Sequence, residues 1–259
     1  MSIFYWLPLI LLAVAVGLII THFAVPSART WVWKALAAQA VLMFAVQPYL
    51  ALSWAPREVM MGDPYRIIYM HVPHMWMAFI VLPANALCSV WYLAVKKSWV
   101  ADSLAEAFAE VGVYLGGVGW VLGSIWARPT WGVYWSPDPR LITAGVMVFL
   151  YLGYLTLRRF IEDPEKRATW SAVVSILSAV DLPLVWFAVK AKSIHQLQSS
   201  PSTVDPQIVM PLRWSAVAFL CFMFVLVWHR YRLAMAARKN EIAPPEAVGQ
   251  GQAAAGVTP

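Results

Sequence analysis

The chain has 259 residues, of which 61% are hydrophobic and only 12% are charged. A soluble globule of this length would lack the polar surface that it needs, so the composition indicates a protein whose main solvent is lipid. The net charge of +6 is spread over short joints between apolar segments, which argues against a nucleic-acid-binding stripe. Neither of the two cysteines belongs to a Cys-x-x-Cys pair, which argues against thiol-disulfide chemistry.

Seven apolar segments are long enough to cross a membrane, since a helical span needs about 20 predominantly apolar residues. They cover residues 3–24, 32–53, 67–95, 105–126, 140–157, 169–190 and 212–231. The sequence therefore predicts an all-α polytopic membrane protein. Residues 236–259 are predicted to form a disordered tail, because the stretch from 241 onward is rich in Pro, Gly, Gln and Ala and has no periodicity.

The distribution of Lys and Arg predicts the orientation of these spans. Alternate joints hold twelve basic residues in one set and seven in the other. Because cytoplasmic joints carry the excess of Lys and Arg, the first set is predicted to be cytoplasmic. The joints at 54–66, 127–139 and 191–211 are then outside and the C-terminal tail is cytoplasmic. The first segment is predicted to be a retained span, with the N-terminus outside.

The outer joint around residues 123–140 combines aromatic rings with helix-breaking residues. Three tryptophans and a tyrosine fall within ten residues, with prolines and a glycine among or just after them: Trp126, Pro129, Trp131, Gly132, Tyr134, Trp135, Pro137 and Pro139. This pattern predicts a loop or short broken turns rather than one continuous helix. An aromatic belt at the headgroup level is the simpler interpretation. Because Arg128, Asp138 and Arg140 lie among the rings, we favour a platform for a flat apolar ligand with an anionic edge.

The histidines narrow the chemistry of that ligand. The predicted topology places His71, His74 and His195 on the same outer side as the aromatic joint, and His22 and His229 at cytoplasmic ends. Haem is flat and largely apolar and carries two propionates, and its iron binds neutral imidazoles on both faces. We therefore predict His71 and His195 as axial ligands of a haem iron. His74 is predicted to be a hydrogen-bonded interfacial residue or a support for His71.

Four motifs resemble the CcmC family of cytochrome c maturation system I and occur in the family's order. They are Tyr65-Arg-Ile-Ile-Tyr-Met-His71-Val-Pro73, the stretch from Gly123 through Trp131-Gly132 and Trp135 to Asp138-Pro-Arg140-Leu141, Ile194-His195-Gln196, and Pro211-Leu-Arg213-Trp214. The resemblance extends from about residue 32 to 231. It implies a six-helix haem-handling membrane domain at 31–235, preceded by an extra N-terminal transmembrane segment at 1–30.

The resemblance also implies a function and a set of site residues. The family holds haem b transiently and non-covalently at the periplasmic face of the bacterial inner membrane and loads it onto a membrane-tethered haem chaperone. ABC transporter subunits and a small single-span protein are the implied further partners, and the protein itself is not expected to be an enzyme. The implied haem contacts are His71, His195, Trp126, Trp131, Trp135 and Asp138. Arg128 and Arg140, with Arg66 or Arg213, are expected near the propionates.

The chain departs from the family in its extra first span and in its aromatic joint. The family usually has Trp-x-Trp-Asp there, whereas this sequence has Trp135-Ser-Pro-Asp138-Pro. Two other classes of function stay open: a membrane oxidoreductase with permanent haem b, and a permease for haem or another solute. Asp181 supports the permease, because a carboxylate inside a span is a functional candidate. Its structural alternative is a pairing with Asn85 or Gln47.

Overall fold

The computed structural model describes residues 5–95, 97–188 and 205–242, and these residues form eight α-helices. The helices are α1 (Leu7–Ala24), α2 (Arg29–Tyr49), α3 (Ile68–Ala94), α4 (Trp99–Trp131), α5 (Pro139–Phe160), α6 (Pro164–Ser178), α7 (Asp181–Phe187) and α8 (Pro206–Ile242). Shorter helical turns cover Pro26–Ala28, Leu50–Trp54 and Asp63–Ile67. Within the described residues, extended pairing is limited to an isolated bridge between Glu58 and Gly62.

Seven of the resulting helical segments are long and apolar enough to span a membrane, which confirms the predicted all-α polytopic fold. The sixth span consists of α6 followed by α7, with a break at residues 179–180. Pro183 is in the first turn of α7, near this break, and Pro48 is two residues before the π-helical turn Leu50–Trp54. Proline cannot donate its backbone nitrogen to a helical hydrogen bond, so changes in helix geometry near these residues are expected.

Four of the helices begin with a capping side chain. Ser98, Asp138, Asp163 and Asp205 accept hydrogen bonds from backbone N–H groups in the first turns of α4, α5, α6 and α8, respectively. Pro139, Pro164 and Pro206 follow the three aspartates directly, where a missing N–H costs nothing. These caps define where the polar joints end and the spans begin.

The central contact of the bundle is between α3 and α4, which the glycines of α4 make possible. A Cβ on Gly112 would overlap Cδ2 of Leu82, and a Cβ on Gly119 would lie 2.6 Å from the sulfur of Met75. The two backbones are therefore closer than larger residues would permit, as is usual where small residues lie at helix contacts in membranes. The outer helix α1 packs on α2 and α8.

Two boundaries differ from the sequence predictions. Helix α4 continues through Pro129 to Trp131, so the expectation that the aromatic joint interrupts the helix before this point is wrong for Trp126 and Trp131. The helix ends at Gly132, whose φ of +79° is a conformation that residues with a Cβ adopt at a cost. Helix α8 continues to Ile242, so it includes the first seven residues of the predicted tail, 236–242; residues 243–259 lie outside the described part of the chain.

The structural alternative for Asp181, a pairing with Asn85 or Gln47, is not seen among the described residues. The Asn85 side chain instead donates to the carbonyl of Ala105 (2.7 Å) and accepts from the hydroxyl of Ser175. The Gln47 amide is directed to the carbonyl of Tyr69. Oδ2 of Asp181 is buried and has no hydrogen-bond partner among the described residues. This leaves Asp181 as a carboxylate within a span, close in sequence to the break between α6 and α7.

Candidate functional site

A cavity of about 290 Å³ lies at the end of the bundle where α3 and α8 begin and α4 and α7 end. We call it the tryptophan cavity. Its aromatic lining consists of Tyr65, Trp76, Phe79, Trp120, Trp126, Trp131, Trp135 and Trp186, and it also includes His71, Gly123 and Arg140. The lining comes from five helices (α3, α4, α5, α7 and α8), from the joint after α4 and from the turn Asp63–Ile67, so the site exists only once the helices are packed together.

His71 is held against α4 by a hydrogen bond and by close packing. Its Nδ1 lies 2.8 Å from the carbonyl oxygen of Gly119. A carbonyl oxygen can only accept, so Nδ1 carries a proton; in the neutral ring, Nε2 is then the nitrogen whose lone pair could bind a metal ion. Cε1 lies 3.0 Å from the position that a Cβ on Gly123 would occupy. The absence of a side chain at Gly123 therefore leaves room for the imidazole ring.

His74, one turn further along α3, has a different environment. It is 3% exposed, its Nδ1 lies 2.8 Å from the carbonyl of Met70, and its ring centroid is 4.3 Å from that of Phe219 on α8. It is not part of the cavity lining. The residue is hydrogen-bonded, as expected, but it is buried in the helix bundle rather than at an interface.

The tryptophans of the predicted platform are divided between helix and joint. Trp126 and Trp131 lie in the last turns of α4 and pack edge to face, with ring centroids 5.1 Å apart and planes inclined by 74°. Trp126 is only 8% exposed, whereas Trp135, in the joint that follows, is 47% exposed. All three line the cavity, so its wall has a fixed part and an accessible part.

The charged residues predicted for this site have several different roles. Arg140 lines the cavity, whereas Arg128 is outside the lining and donates to the carbonyl of Gly132, with its guanidinium 5.8 Å from the ring centroid of Tyr134. Asp138 is buried and accepts from the backbone N–H of Arg140 at 3.0 Å, as the cap of α5.

The other predicted residues lie apart from the aromatic joint. Arg66 donates to the carbonyls of Ala51 (2.6 Å) and Ala55 (2.9 Å). Arg213 is exposed and outside the lining, and His195 lies outside the described residues.

Sequence reasoning missed the deeper wall of the cavity, formed by Met75, Phe79, Trp120 and Trp186. On α3, the lining residues His71, Met75 and Phe79 recur at intervals of four, which is a signal that could have been found. Trp186 carries no such signal, because its place beside α3 depends on the break between α6 and α7. Its ring is 6.3 Å from that of Phe79, centroid to centroid.

The fold and this site together define a class: a polytopic α-helical membrane protein with an aromatic, histidine-bearing cavity at one membrane face. Comparison with known proteins gives the family. The chain matches the family described as Heme exporter protein C over residues 19–244, and it belongs to that family.

Individual relatives agree with this assignment. The chain is 32% identical over 227 residues to Heme exporter protein C of Bradyrhizobium diazoefficiens, covering 86% of this chain and 82% of the relative. It is 29% identical over 208 residues to the Escherichia coli K12 protein of the same name, covering 78% and 83%. A putative cytochrome c biosynthesis ccmC-like mitochondrial protein of Marchantia polymorpha is 30% identical over 156 residues, covering 60% and 65%.

Proposed function

We propose that this protein binds haem non-covalently in the tryptophan cavity and presents it for cytochrome c biogenesis, as a haem-handling protein rather than an enzyme. The observation that carries the proposal is the position of His71, which places an imidazole in the wall of an aromatic cavity at one end of the helix bundle. The names of the family and of the relatives support the same cargo.

The hydrogen bond of His71 suits iron ligation. A metal-binding histidine usually donates its second ring nitrogen to a carbonyl or carboxylate, which fixes the tautomer and the orientation of the ring. Gly119 supplies that acceptor here. His195 is proposed as the second axial ligand, because a ligand on the opposite face of the porphyrin would complete six-coordinate iron.

The remaining lining fits the rest of a haem molecule. Trp126, Trp131 and Trp135 offer aromatic surface to a flat macrocycle, and the Arg140 guanidinium matches a propionate carboxylate. Arg128 and Asp138 would act indirectly: Arg128 bonds to the C-terminal end of α4 through Gly132, and Asp138 caps α5.

The size of the cavity favours a protein that presents haem to a partner over one that stores it. Its volume of about 290 Å³ is at the lower limit of the pockets that enclose drug-sized ligands, about 300–1,000 Å³. A haem seated there would keep part of its ring outside. We propose that this part faces the periplasm and meets a membrane-tethered haem chaperone, with ABC transporter subunits and a small single-span protein as further partners.

Absorption spectroscopy of histidine variants tests this function. We expect His71→Ala and His195→Ala to weaken the Soret band of the purified protein and to abolish chaperone loading. His229→Ala is the matched control, because His229 is exposed at the other end of the bundle. Added imidazole should restore the band in His71→Ala if the loss reflects a missing ligand. Unchanged loading in both ligand variants would reject the assignment.

The same preparation distinguishes the other classes of function. A quinol-oxidising cytochrome would reduce its haem when quinol is added, whereas a haem-presenting protein would transfer haem without such activity. A permease would move haem into sealed vesicles that contain this chain alone. In that case Asp181→Asn should abolish uptake, because Asp181 is a buried carboxylate within a span.

A further inference from the structure

The second large cavity of the protein lies at the opposite end of the bundle and is lined mainly by charged residues. Its volume is about 360 Å³, and its charged lining comprises Arg158, Arg159, Arg167, Arg230, Arg238, Glu106, Glu110 and Glu241. We call it the arginine cavity. It is formed by the first turns of α4 and the last turns of α5 and α8, together with Arg167 of α6.

Most of these charges form an ion-pair network that joins four helices. Asp102 on α4 accepts from Arg158 at 2.7 Å and from Arg238. Glu241 accepts from Arg167 at 2.6 Å and from Arg238 at 3.0 Å. A second pair joins Glu110 to Arg230. The arginines are therefore held in place before any ligand arrives, which lowers the ordering cost of binding.

The network does not neutralise the lining of the cavity. Five arginines of the lining face three glutamates and Asp102, the carboxylate paired with Arg158 and Arg238, which leaves an excess of one positive charge. Arg159 is exposed and takes part in none of the ion pairs among the described residues. The Nε–H of Arg158 is buried and finds no acceptor in the described part of the chain. Each guanidinium has five N–H donors, so the paired arginines also keep donor capacity.

The level of the cavity along the bundle matches the membrane surface. Helix α5 has 22 residues, so it is about 33 Å long, close to the thickness of a bilayer's hydrocarbon core, about 30 Å. Arg158 and Arg159 are in its last turn and therefore lie near the headgroups. Apolar lining from Leu155 and Leu233 adjoins the arginines. An anionic group with an attached hydrocarbon chain would use both surfaces.

We propose that the arginine cavity binds a phosphate-bearing anion, either the headgroup of an anionic phospholipid or a soluble phosphate compound. Arginine forks match phosphate oxygens in geometry and charge, and basic pockets between transmembrane helices are known to bind such headgroups. This site is separate from the tryptophan cavity and does not depend on haem binding.

A binding experiment on the delipidated full-length chain tests the proposal. Phosphatidylglycerol, phosphatidylcholine and inorganic pyrophosphate are added separately, and binding is followed by native mass spectrometry and by the shift of the thermal unfolding midpoint. We expect one anion to be retained per chain. Binding of phosphatidylglycerol alone identifies a lipid headgroup as the source, and binding of pyrophosphate alone identifies a soluble compound.

A pair of single-charge variants locates the site. Arg159→Gln should weaken binding of the anion about tenfold, because it removes a charge-assisted contact. Arg232→Gln removes the same charge from the same end of the bundle, but Arg232 is exposed and outside the cavity, so affinity should stay within about twofold. Equal losses in the two variants, equal binding of phosphatidylcholine and phosphatidylglycerol, or no binding of any anion would overturn the proposal.

Discussion

The contact between Gly123 and His71 makes it possible to disturb His71, the proposed iron ligand, without removing its side chain. In Gly123→Ala the new Cβ would lie 3.0 Å from Cε1 and 3.4 Å from Nδ1 of the imidazole. Non-bonded carbon atoms favour separations of about 3.5–4.0 Å, so the ring must move by about 0.5 Å or the helices must separate. Either response disturbs the hydrogen bond between Nδ1 and the carbonyl of Gly119.

The expected effect of Gly123→Ala is a loss of haem affinity with little loss of fold. Overpacking of this kind costs about 1–3 kcal/mol. If about half of that cost opposes the orientation of His71 that binds iron, haem binding weakens about tenfold, since 1.4 kcal/mol corresponds to a factor of ten. The assay is a haem titration followed at the Soret band. The unfolding midpoint is recorded alongside it to separate binding from stability.

Gly117→Ala is the matched control for this variant. It is on the same helix, and a Cβ there meets nothing within 4 Å. The change adds the same methyl group and the same gain in helix propensity, about 1 kcal/mol or less, without touching His71. Haem affinity should therefore stay at the wild-type value. Wild-type affinity in both variants would refute the reasoning that α4 positions a ligating imidazole.

Three further predictions concern other parts of the chain. Asp138→Ala should lower stability by about 1 kcal/mol through loss of the α5 cap, whereas Asp138→Asn should retain most of it, as measured by chemical unfolding. Trp131→Ala should weaken haem binding more than Trp31→Ala, because Trp31 is 54% exposed and far from the cavity lining; equal effects would contradict the platform. Arg158→Gln should destabilise the fold by about 3–5 kcal/mol, because it leaves Asp102 buried with one partner fewer, and a midpoint like that of wild type would contradict this.

The membrane spans could be predicted from the sequence because hydropathy acts locally. Their number and their type depend on runs of apolar residues that can be read one segment at a time. The course of α4 past Pro129 could not be predicted in this way. A proline two residues before the last helical residue removes one hydrogen bond, and helix packing on both sides outweighs that loss.

The sequence led to residues that share one cavity, but not to the geometry of that cavity. His71 and the three tryptophans of the aromatic joint were chosen for their chemistry, and all four line the tryptophan cavity. Their roles depend on the register between α3 and α4, which sets the contact of His71 with Gly119 and Gly123 and which no local pattern encodes. Arg128 was expected near the propionates of haem. Its side chain instead donates to the backbone carbonyl of Gly132, four residues away, and this hydrogen bond competes with any ligand.

The structure places the proposed iron ligand on a long helix and the most exposed of the three platform tryptophans in a joint. His71 is fixed between two long helices, whereas Trp135 is in the short joint after Gly132 and is half-exposed. Substitutions at the α3–α4 contact should therefore change the spectrum of the bound iron, because they move its ligand. Substitutions at Trp135 should change affinity and leave the spectrum as it is. A protein that holds haem and then releases it would benefit from this arrangement. Trp135 in the joint could lose its contact with the haem ring while His71 on α3 still held the iron.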